Sequence, residues 1–388
     1  MGELIRHKSF WYIIFAGLFL FGCSVKKEPA RVVTTVKPDS ITEVSFAVVG
    51  DLMCHSTQYN YAKTENGSYN FNNVFKYVKP IFDTTDVVIG NLETVTAGDS
   101  LGYRGYPVFN SPDEFVSSLK YAGFDILVTA NNHCYDKRQF GLKRTIEVIK
   151  KNNLEYSGTF SSAKDADSVR IYNKNGIRFS LLSYSYGTNG FRVPEKYKYS
   201  VNVIDTSKIK QDIWKVKKLN PDLVILYYHF GYEYSTYPSK FQKEIVKKSF
   251  EYGADIIFAS HPHVLQPVKI FRNKNSKLEW SFATYSLGNF ISNQRWRYSD
   301  AGMILQFNIS KNHSKDNMEI KSFSYLPTWV FKGLDKGKRE YYILPTERFL
   351  DNKKIKFLTR ADRDSMARSL RDTERILKRY SANIKKAR

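Results

Sequence analysis

Short apolar runs rich in Val, Ile, Phe and Tyr recur from Val44 onward and alternate with amphipathic stretches, the pattern of strand–helix–strand units. It predicts an α/β chain. The strands expected are "VSFAVVGD", "DVVIGNLE", "FDILVTANNH", "RFSLLSYSYG", "DLVILYYHFG", "DIIFASHPHV" and "ATYSLGNF". Helices are expected between them. In "NSPDEFVSSLKYAG", Ser111 can cap, Pro112 takes the first helical position, Glu114 completes a capping box and Gly123 ends the helix. Further helices are read in "RQFGLKRTIEVIKKNN", "TSKIKQDIWKVKKLN" and "SKFQKEIVKKSFEYG", the last stopped by Gly253. With 388 residues, 42% hydrophobic and 15% aromatic, the chain holds enough apolar material for one large core or two modest domains.

Each apolar run finishes in polar residues at its expected carboxyl end. Asp51 and His55 follow the first, Asn91 and Glu93 the second, and Asn131, Asn132 and His133 the third. Later runs end in His229 with Glu233 nearby, in His261 and His263, and in Asn289. Ligands of α/β sheets bind outside the carboxyl ends of the strands, so these side chains are expected to meet in one crevice. Imidazole and carboxylate donors suit Zn, Mn or Fe, and an Asn carbonyl oxygen can join them. The set has room for one or two divalent ions, which would lower the pKa of a bound water and clamp a phosphoryl or carbonyl group. Each piece has a plainer reading: "GD" is a common turn, His55 can cap a helix, and "HPH" can be a tight turn fixed by Pro262. Their repetition at the same end of successive strands favours a site.

The amino terminus follows a different logic. Arg6 and Lys8 precede the apolar run "FWYIIFAGLFLFG", short for a bilayer span and readable as a signal-peptide core. It ends in Leu20-Phe21-Gly22-Cys23, which resembles the bacterial lipobox and would make Cys23 the lipid-bearing first residue; an ordinary secretory signal or an uncleaved anchor is the alternative. Residues 23–43 read as a flexible tether. The expected organisation is thus a lipoprotein signal peptide over 1–22, the tether, a main domain over 44–310, and C-terminal strands with a basic helix over 311–388. That helix, roughly 359–385, would pack Met366, Leu370, Ile376 and Leu377 on the body.

Sixty Lys and Arg against 38 Asp and Glu give a net charge of +22, and removing the +1 carried by Glu3, Arg6 and Lys8 leaves +21. Such a field favours acidic polymers or lipid head groups, or serves solubility alone. No stretch shows a nucleic-acid module, so nucleic acid is not an expected partner.

The ordered motifs "VGDLM", "GNLET", "YRGYPVFNSP", "TANNHCYD", "SYSYGTNG", "HFGYEY", "SHPHVLQP" and "YSLGNF" resemble the CapA family of capsule-synthesis proteins associated with poly-gamma-glutamate. The resemblance covers roughly residues 44–310. It implies kinship with calcineurin-like metallophosphoesterases and a metallo-dependent-phosphatase-like fold: a layered β-sandwich of mixed sheets flanked by helices. Carried over residue by residue, it implies Asp51, Glu93, Asn132, His229, His261 and His263 as metal ligands and His133 as catalytic acid, with His55, Asn91, Asn131, Glu233 and Asn289 as further site residues. The chain departs from the phosphoesterase pattern. The nearest histidine to Asp51 lies four residues on, and Asn91 and Glu93 stand where a bridging aspartate belongs. Cys54 and Cys134, beside two motifs, are read as packed side chains ahead of a disulfide or metal ligands.

The function expected is that of a lipoprotein of the bacterial cell envelope, at the outer membrane or periplasmic face because Ser24 does not resemble a retention aspartate. It would act as a metal-dependent hydrolase or transferase on an anionic envelope polymer in capsule or exopolysaccharide synthesis, alongside other capsule-assembly proteins. The alternative is a polymer-binding component that cuts nothing.

Overall fold

A computed structural model describes residues 40–388 apart from 275, 279, 353, 381–384 and 387–388. The expected signal peptide, Cys23 and nearly all of the tether lie outside the described residues. Among the described residues no helix is long and apolar enough to cross a membrane.

The chain builds one sheet, leaves it for a second, and returns. β1 (Ile41–Leu52), β2 (Val87–Leu92), β3 (Ile126–Val128) and β4 (Glu155–Ser157) pair in parallel in that order. β1 begins three residues ahead of the expected Val44 start, so 41–43 are strand and not tether. β5 (Tyr172–Lys174), β6 (Ile177–Ser185), β7 (Leu223–His229), β8 (Ile256–Ser260), β9 (Val268–Phe271) and β10 (Ser281–Thr284) form the second sheet in the order β5-β6-β7-β8-β10-β9. It is parallel from β6 through β10 and antiparallel at both edges. β11 (Asn289–Ile291), β12 (Ala301–Asn312), β13 (Asn317–Asp335), β14 (Lys338–Pro345) and the short β15 (Lys385–Lys386) rejoin the first sheet, which runs β14-β13-β12-β1-β2-β3-β4 with β11 beside β1 and β15 beside β13.

Alternation along the strands sorts four layers. Val44, Phe46 and Val48 of β1 enter the core between the sheets, while Ala47 and Val49 face helices. Phe46 stacks on Phe307 of β12 at 4.8 Å and meets Phe179 of β6 edge-on at 5.4 Å. Helices Asp113–Ala122 and Arg138–Lys151 cover the outer face of the first sheet through Phe115, Leu119, Ile146 and Ile149. Helices Thr206–Lys217 and Lys240–Tyr252 cover the second through Ile209, Ile213, Ile245 and Val246. The basic helix spans Arg360–Leu377. It buries Met366 against Trp329 and Phe331 and sends Ile376 and Leu377 into the core between the sheets, whereas Leu370 is half-buried.

Two local expectations are corrected. The run "ATYSLGNF" is not one strand: β10 ends at Thr284 and β11 starts at Asn289, and the chain changes sheet between them, where Gly288 adopts φ +67°. Ser111 does not cap its helix, which starts after Pro112; the Ser111 hydroxyl pairs with Thr94 Oγ1 at 2.6 Å, and Glu114 accepts from Ser68 instead of closing a capping box. Gly123 and Gly253 end their helices with φ of +108° and +104°, as expected.

Four strands are preceded by an aspartate with a shared task. The Oδ2 atoms of Asp86, Asp125, Asp222 and Asp255 accept the backbone N–H of Ser45, Val88, Arg178 and Val224, at 3.0, 2.8, 2.8 and 2.7 Å. Each thus ties the start of its own strand to the neighbouring strand and sets the register, where a one-residue slip would turn every side chain to the wrong face. Burial pushes the Asp255 carboxyl up to about 6. A raised carboxyl favours folding below its unfolded value and loses that contribution as pH rises through about 6. The variant Asp255→Asn keeps an acceptor for Val224 but does not titrate. Relative to wild type it is expected to gain roughly 2–3 kcal/mol between pH 4 and 7.5. Urea denaturation at both pH values measures this, and a pH-independent difference would contradict it.

Candidate functional site

The parallel strands deliver their polar termini to one place. Asp51 lies near the end of β1, Asn91 in β2 with Glu93 just beyond it, and His229 ends β7; Asn131, Asn132 and His133 follow β3, and His261 and His263 follow β8. All are buried. The approach of β11 to β1 here depends on Gly50, where a Cβ would sit 2.0 Å from the carbonyl oxygen of Gly288, the acceptor of the Asp51 N–H at 3.0 Å. Gly50→Ala therefore has to push β11 off β1. It is expected to cost on the order of 2–4 kcal/mol in thermal or denaturant unfolding.

Two groups of potential ligands form, one of Glu93, His261 and His263 and one of Asp51, Glu93 and His229, each with one donor atom per residue within 4.8 Å of the others. The hydrogen bonds show which lone pairs are spoken for. His263 Nδ1 lies 3.0 Å from Asp51 Oδ2 and 3.1 Å from Asn289 Oδ1; both are acceptors, so Nδ1 carries the proton and Nε2 is left as a donor atom. That Nε2 is 3.8 Å from Glu93 Oε1. Neither Glu93 Oε1 nor His261 Nδ1 has a hydrogen-bond partner, although both are buried. His229 Nε2 is 2.8 Å from Asn132 Oδ1, which must accept, so His229 Nδ1 in turn accepts from Asn91 Nδ2 at 3.2 Å. Asn91 also donates to Asp51 Oδ1 at 2.8 Å, and Asn131 donates to Asn91 Oδ1 at 3.1 Å.

Burial raises Asp51, but hydrogen bonds from His263 and Asn91 outweigh it and hold the carboxyl below its usual range. Glu93 lacks such a partner. Burial, and then the charge of Asp51, push it well above its usual value. Burial also drives His229 well below, and His261 down to about 3, so both rings are neutral bases at pH 7. His261 and His263 reach the cluster by a backbone that pays for it in strain, with φ of +105° and +57° on either side of Pro262. The "HPH" segment is thus both a tight turn and a source of two imidazoles.

Two buried carboxylates, neutral imidazoles and orphaned donors on Glu93 and His261 form a set that a divalent cation completes. The residues present fit such an ion, and Glu93, His261 and His263 offer the atoms left unpaired.

His133 belongs to an adjacent group. Its Nδ1 is 2.8 Å from Asp136 Oδ2, which also accepts the Phe109 N–H at 2.7 Å, and Phe109 packs edge-on to the ring at 4.7 Å. Asn189 Nδ2 lies 3.5 Å from His133 Nε2, and its Oδ1 accepts from Asn132 at 3.1 Å. Asn132 therefore joins the His133 group to the His229 side of the cluster.

The remaining expected residues fall further out. Glu233 is exposed, while His55 heads the helix Ser56–Ala62, bonded to Gln58, and lies outside both ligand groups. Cys54 and Cys134 are free, buried in the core beneath the first sheet's helices, with thiols pushed up to about 12 by burial. Three neighbours were not anticipated: Asp136, Asn189, and Tyr186, whose ring lies 4.5 Å from that of His261. Asp136 stands three residues after His133, a spacing that one turn brings together, and was the one with a readable signal.

Two mixed sheets between helical layers, with buried carboxylates, imidazoles and amides gathered at the strand ends, define a layered α/β protein with a candidate metal centre. Residues 45–294 match the family described as "Bacterial capsule synthesis protein PGA_cap". The chain belongs to that family. It is 30% identical over 303 residues to the "PGA biosynthesis protein CapA" of Bacillus subtilis (strain 168), covering 77% of this chain and 76% of that one. It is 29% identical over 315 residues to the "Capsule biosynthesis protein CapA" of Bacillus anthracis, covering 79% and 74%. Among solved structures, the Haemophilus influenzae NAD nucleotidase aligns with TM-score 0.45 and 13% identity over 88% of this chain and 57% of its own. The Bacillus subtilis calcineurin-like phosphoesterase YfkN aligns with TM-score 0.42 and 12% identity, over 86% and 97%.

Proposed function

We propose that this CapA relative is a lipid-anchored envelope protein that hydrolyses or transfers a bond in an anionic polymer during capsule synthesis, with a poly-gamma-glutamate-like chain as the candidate substrate. The observation that carries the reading is the pair of orphaned buried donors, Glu93 Oε1 and His261 Nδ1, beside the free Nε2 of His263. Those three residues would hold the ion, with Asp51 and His229 as the neighbouring set. A divalent ion bound there supplies Lewis-acid polarisation of a carbonyl or phosphoryl oxygen and a water of lowered pKa.

The chain's own residues do the rest. Asp136 fixes His133 with its proton on Nδ1, leaving Nε2 to exchange a proton with a reacting group. Asn132, held between His229 and Asn189, keeps the two groups in fixed relation. Tyr186 lies against His261 and shields the cluster from bulk water. The names of the relatives and the +21 balance support an acidic polymer as substrate. Lipidation at Cys23 would hold the domain at the outer membrane or the periplasmic face, within reach of other capsule-assembly proteins.

The test is turnover of model phosphodiesters and gamma-glutamyl amides after loading with Zn, Mn or Fe in turn. His133→Ala is expected to lower turnover roughly 10²- to 10⁴-fold with metal content unchanged. Fully loaded protein that turns over neither class would leave polymer binding without cleavage as the activity.

A further inference from the structure

Beside the crevice, two cations tied to one another through Asn293 and β13 have no ion-pair partner among the described residues. Lys332 Nζ donates to Asn293 Oδ1 at 3.0 Å, and the Tyr341 hydroxyl donates to the same oxygen. The Arg295 guanidinium lies 5.2 Å from the centre of the Trp329 ring and, among the described residues, donates from Nε to Val330 O at 3.0 Å. Both side chains are half-buried, and among the described residues no carboxylate lies within ion-pair distance of either. Asp300 accepts the Trp329 indole N–H at 2.8 Å and reaches Arg295 only through space. Burial disfavours the charge on both groups, and Arg295 disfavours it further on Lys332. Partly desolvated like charges held together are costly unless an oxyanion offsets them, and a guanidinium fork beside an ammonium suits a carboxylate or a phosphate.

The position of the pair gives it meaning. The Asn293 N–H donates to His55 Nδ1 at 3.3 Å, the His55 ring meets Phe109 edge-on at 5.2 Å, and Phe109 packs on His133. On the opposite side Lys332 Nζ lies 5.9 Å from the Tyr61 ring, and Tyr61 forms part of the wall of an open groove of about 1070 Å³.

We infer that Arg295 and Lys332 form an oxyanion subsite gripping one acidic group of an extended anionic chain, whose reacting bond lies at the Glu93–His133 crevice. This rests on the anionic-polymer reading above but not on the chemistry of cleavage. His55 then acts as the wall between crevice and subsite.

The test titrates a fluorescent gamma-linked oligoglutamate and a polyphosphate of similar charge into the full chain, into Arg295→Gln, Lys332→Met and the double variant, and into each of these with His261→Ala. The double variant is expected to bind roughly 10- to 100-fold more weakly than its parent whether or not His261 is present, and Arg295→Lys to recover only part of the affinity lost in Arg295→Gln. Loss confined to oligoglutamate assigns a carboxylate, and loss with polyphosphate a phosphate; either supports the subsite. Unchanged affinity for both probes, or binding lost in His261→Ala yet indifferent to Arg295 and Lys332, overturns it. The single variants keep the comparison readable if the double fails to fold, and Arg295-dependent binding without turnover would sink the hydrolase reading while leaving the subsite standing.

Discussion

Glu93→Gln is expected to strip the protein of its divalent metal and, in the same molecule, to raise the melting temperature of the metal-free chain. Glu93 is wholly buried, its Oε1 has no hydrogen-bond partner, and burial together with Asp51 pushes its carboxyl well above the ordinary range. With a raised folded value, its contribution to stability is present below the unfolded value and lost as pH climbs through the folded one. Near neutrality without metal the residue therefore works against folding. Glutamine removes that burden and can donate to Asp51. It also removes the negative charge that a cation needs, so metal affinity is expected to fall at least ~100-fold. Wild type at a metal concentration about 100 times its Kd should gain about 2.7 kcal/mol, and the variant almost nothing. Elemental analysis paired with calorimetry, with and without chelator, decides the matter. Equal metal content in the two proteins would remove Glu93 from the ligand set.

Asp136→Asn should abolish most turnover while leaving metal content intact. Asp136 Oδ2 receives two N–H groups, from His133 Nδ1 and from the Phe109 backbone. An asparagine whose carbonyl oxygen takes the place of Oδ2 still accepts both bonds, and its NH₂ falls where Asp136 Oδ1 lies buried without a partner. The ring keeps its place and tautomer but loses the negative charge that favours an imidazolium. The loss of that charge is expected to lower kcat on the order of 10²-fold or more. KM and metal stoichiometry are expected to stay near wild type, which separates an orienting role from a structural one. A loss below about tenfold would place His133 outside proton transfer.

Much of this was legible because the relevant signals are local. Polar residues closing each apolar run place Asp51, Glu93, His229, His261 and His263 at one edge from sequence alone, and Gly123 and Gly253 mark real helix ends. The signals failed where a longer-range contact decided the outcome. Nothing within "ATYSLGNF" shows that the chain changes sheets at Gly288, since the reason is the approach of Gly50 from β1. Ser111 looks like a helix cap until Thr94 claims its hydroxyl. His55 resembles a ligand in spacing, yet it is retained by Gln58 at a helix start. Arg295 and Lys332 stand on different elements, and only the approach of β13 to the loop ahead of β12 makes them neighbours.

The aspartates that precede β2, β3, β7 and β8 have a consequence for how this molecule can change. Asp86 stands seven residues before Glu93, Asp222 seven before His229 and Asp255 six before His261, each pair joined by buried extended chain. At about 3.3 Å per residue such a segment is a stiff rod roughly 20 Å long, keyed at one end and working at the other. The strand ends that carry the candidate ligands are thus located from the far pole of the sandwich, with only the turn around Pro262 supplying His261 and His263 from beyond a strand. The loops around the crevice, with Tyr186, Asn189 and Arg295 on them, can be exchanged to suit a different polymer while the cluster keeps its shape. A fault in a distant aspartate, by contrast, would announce itself as lost metal.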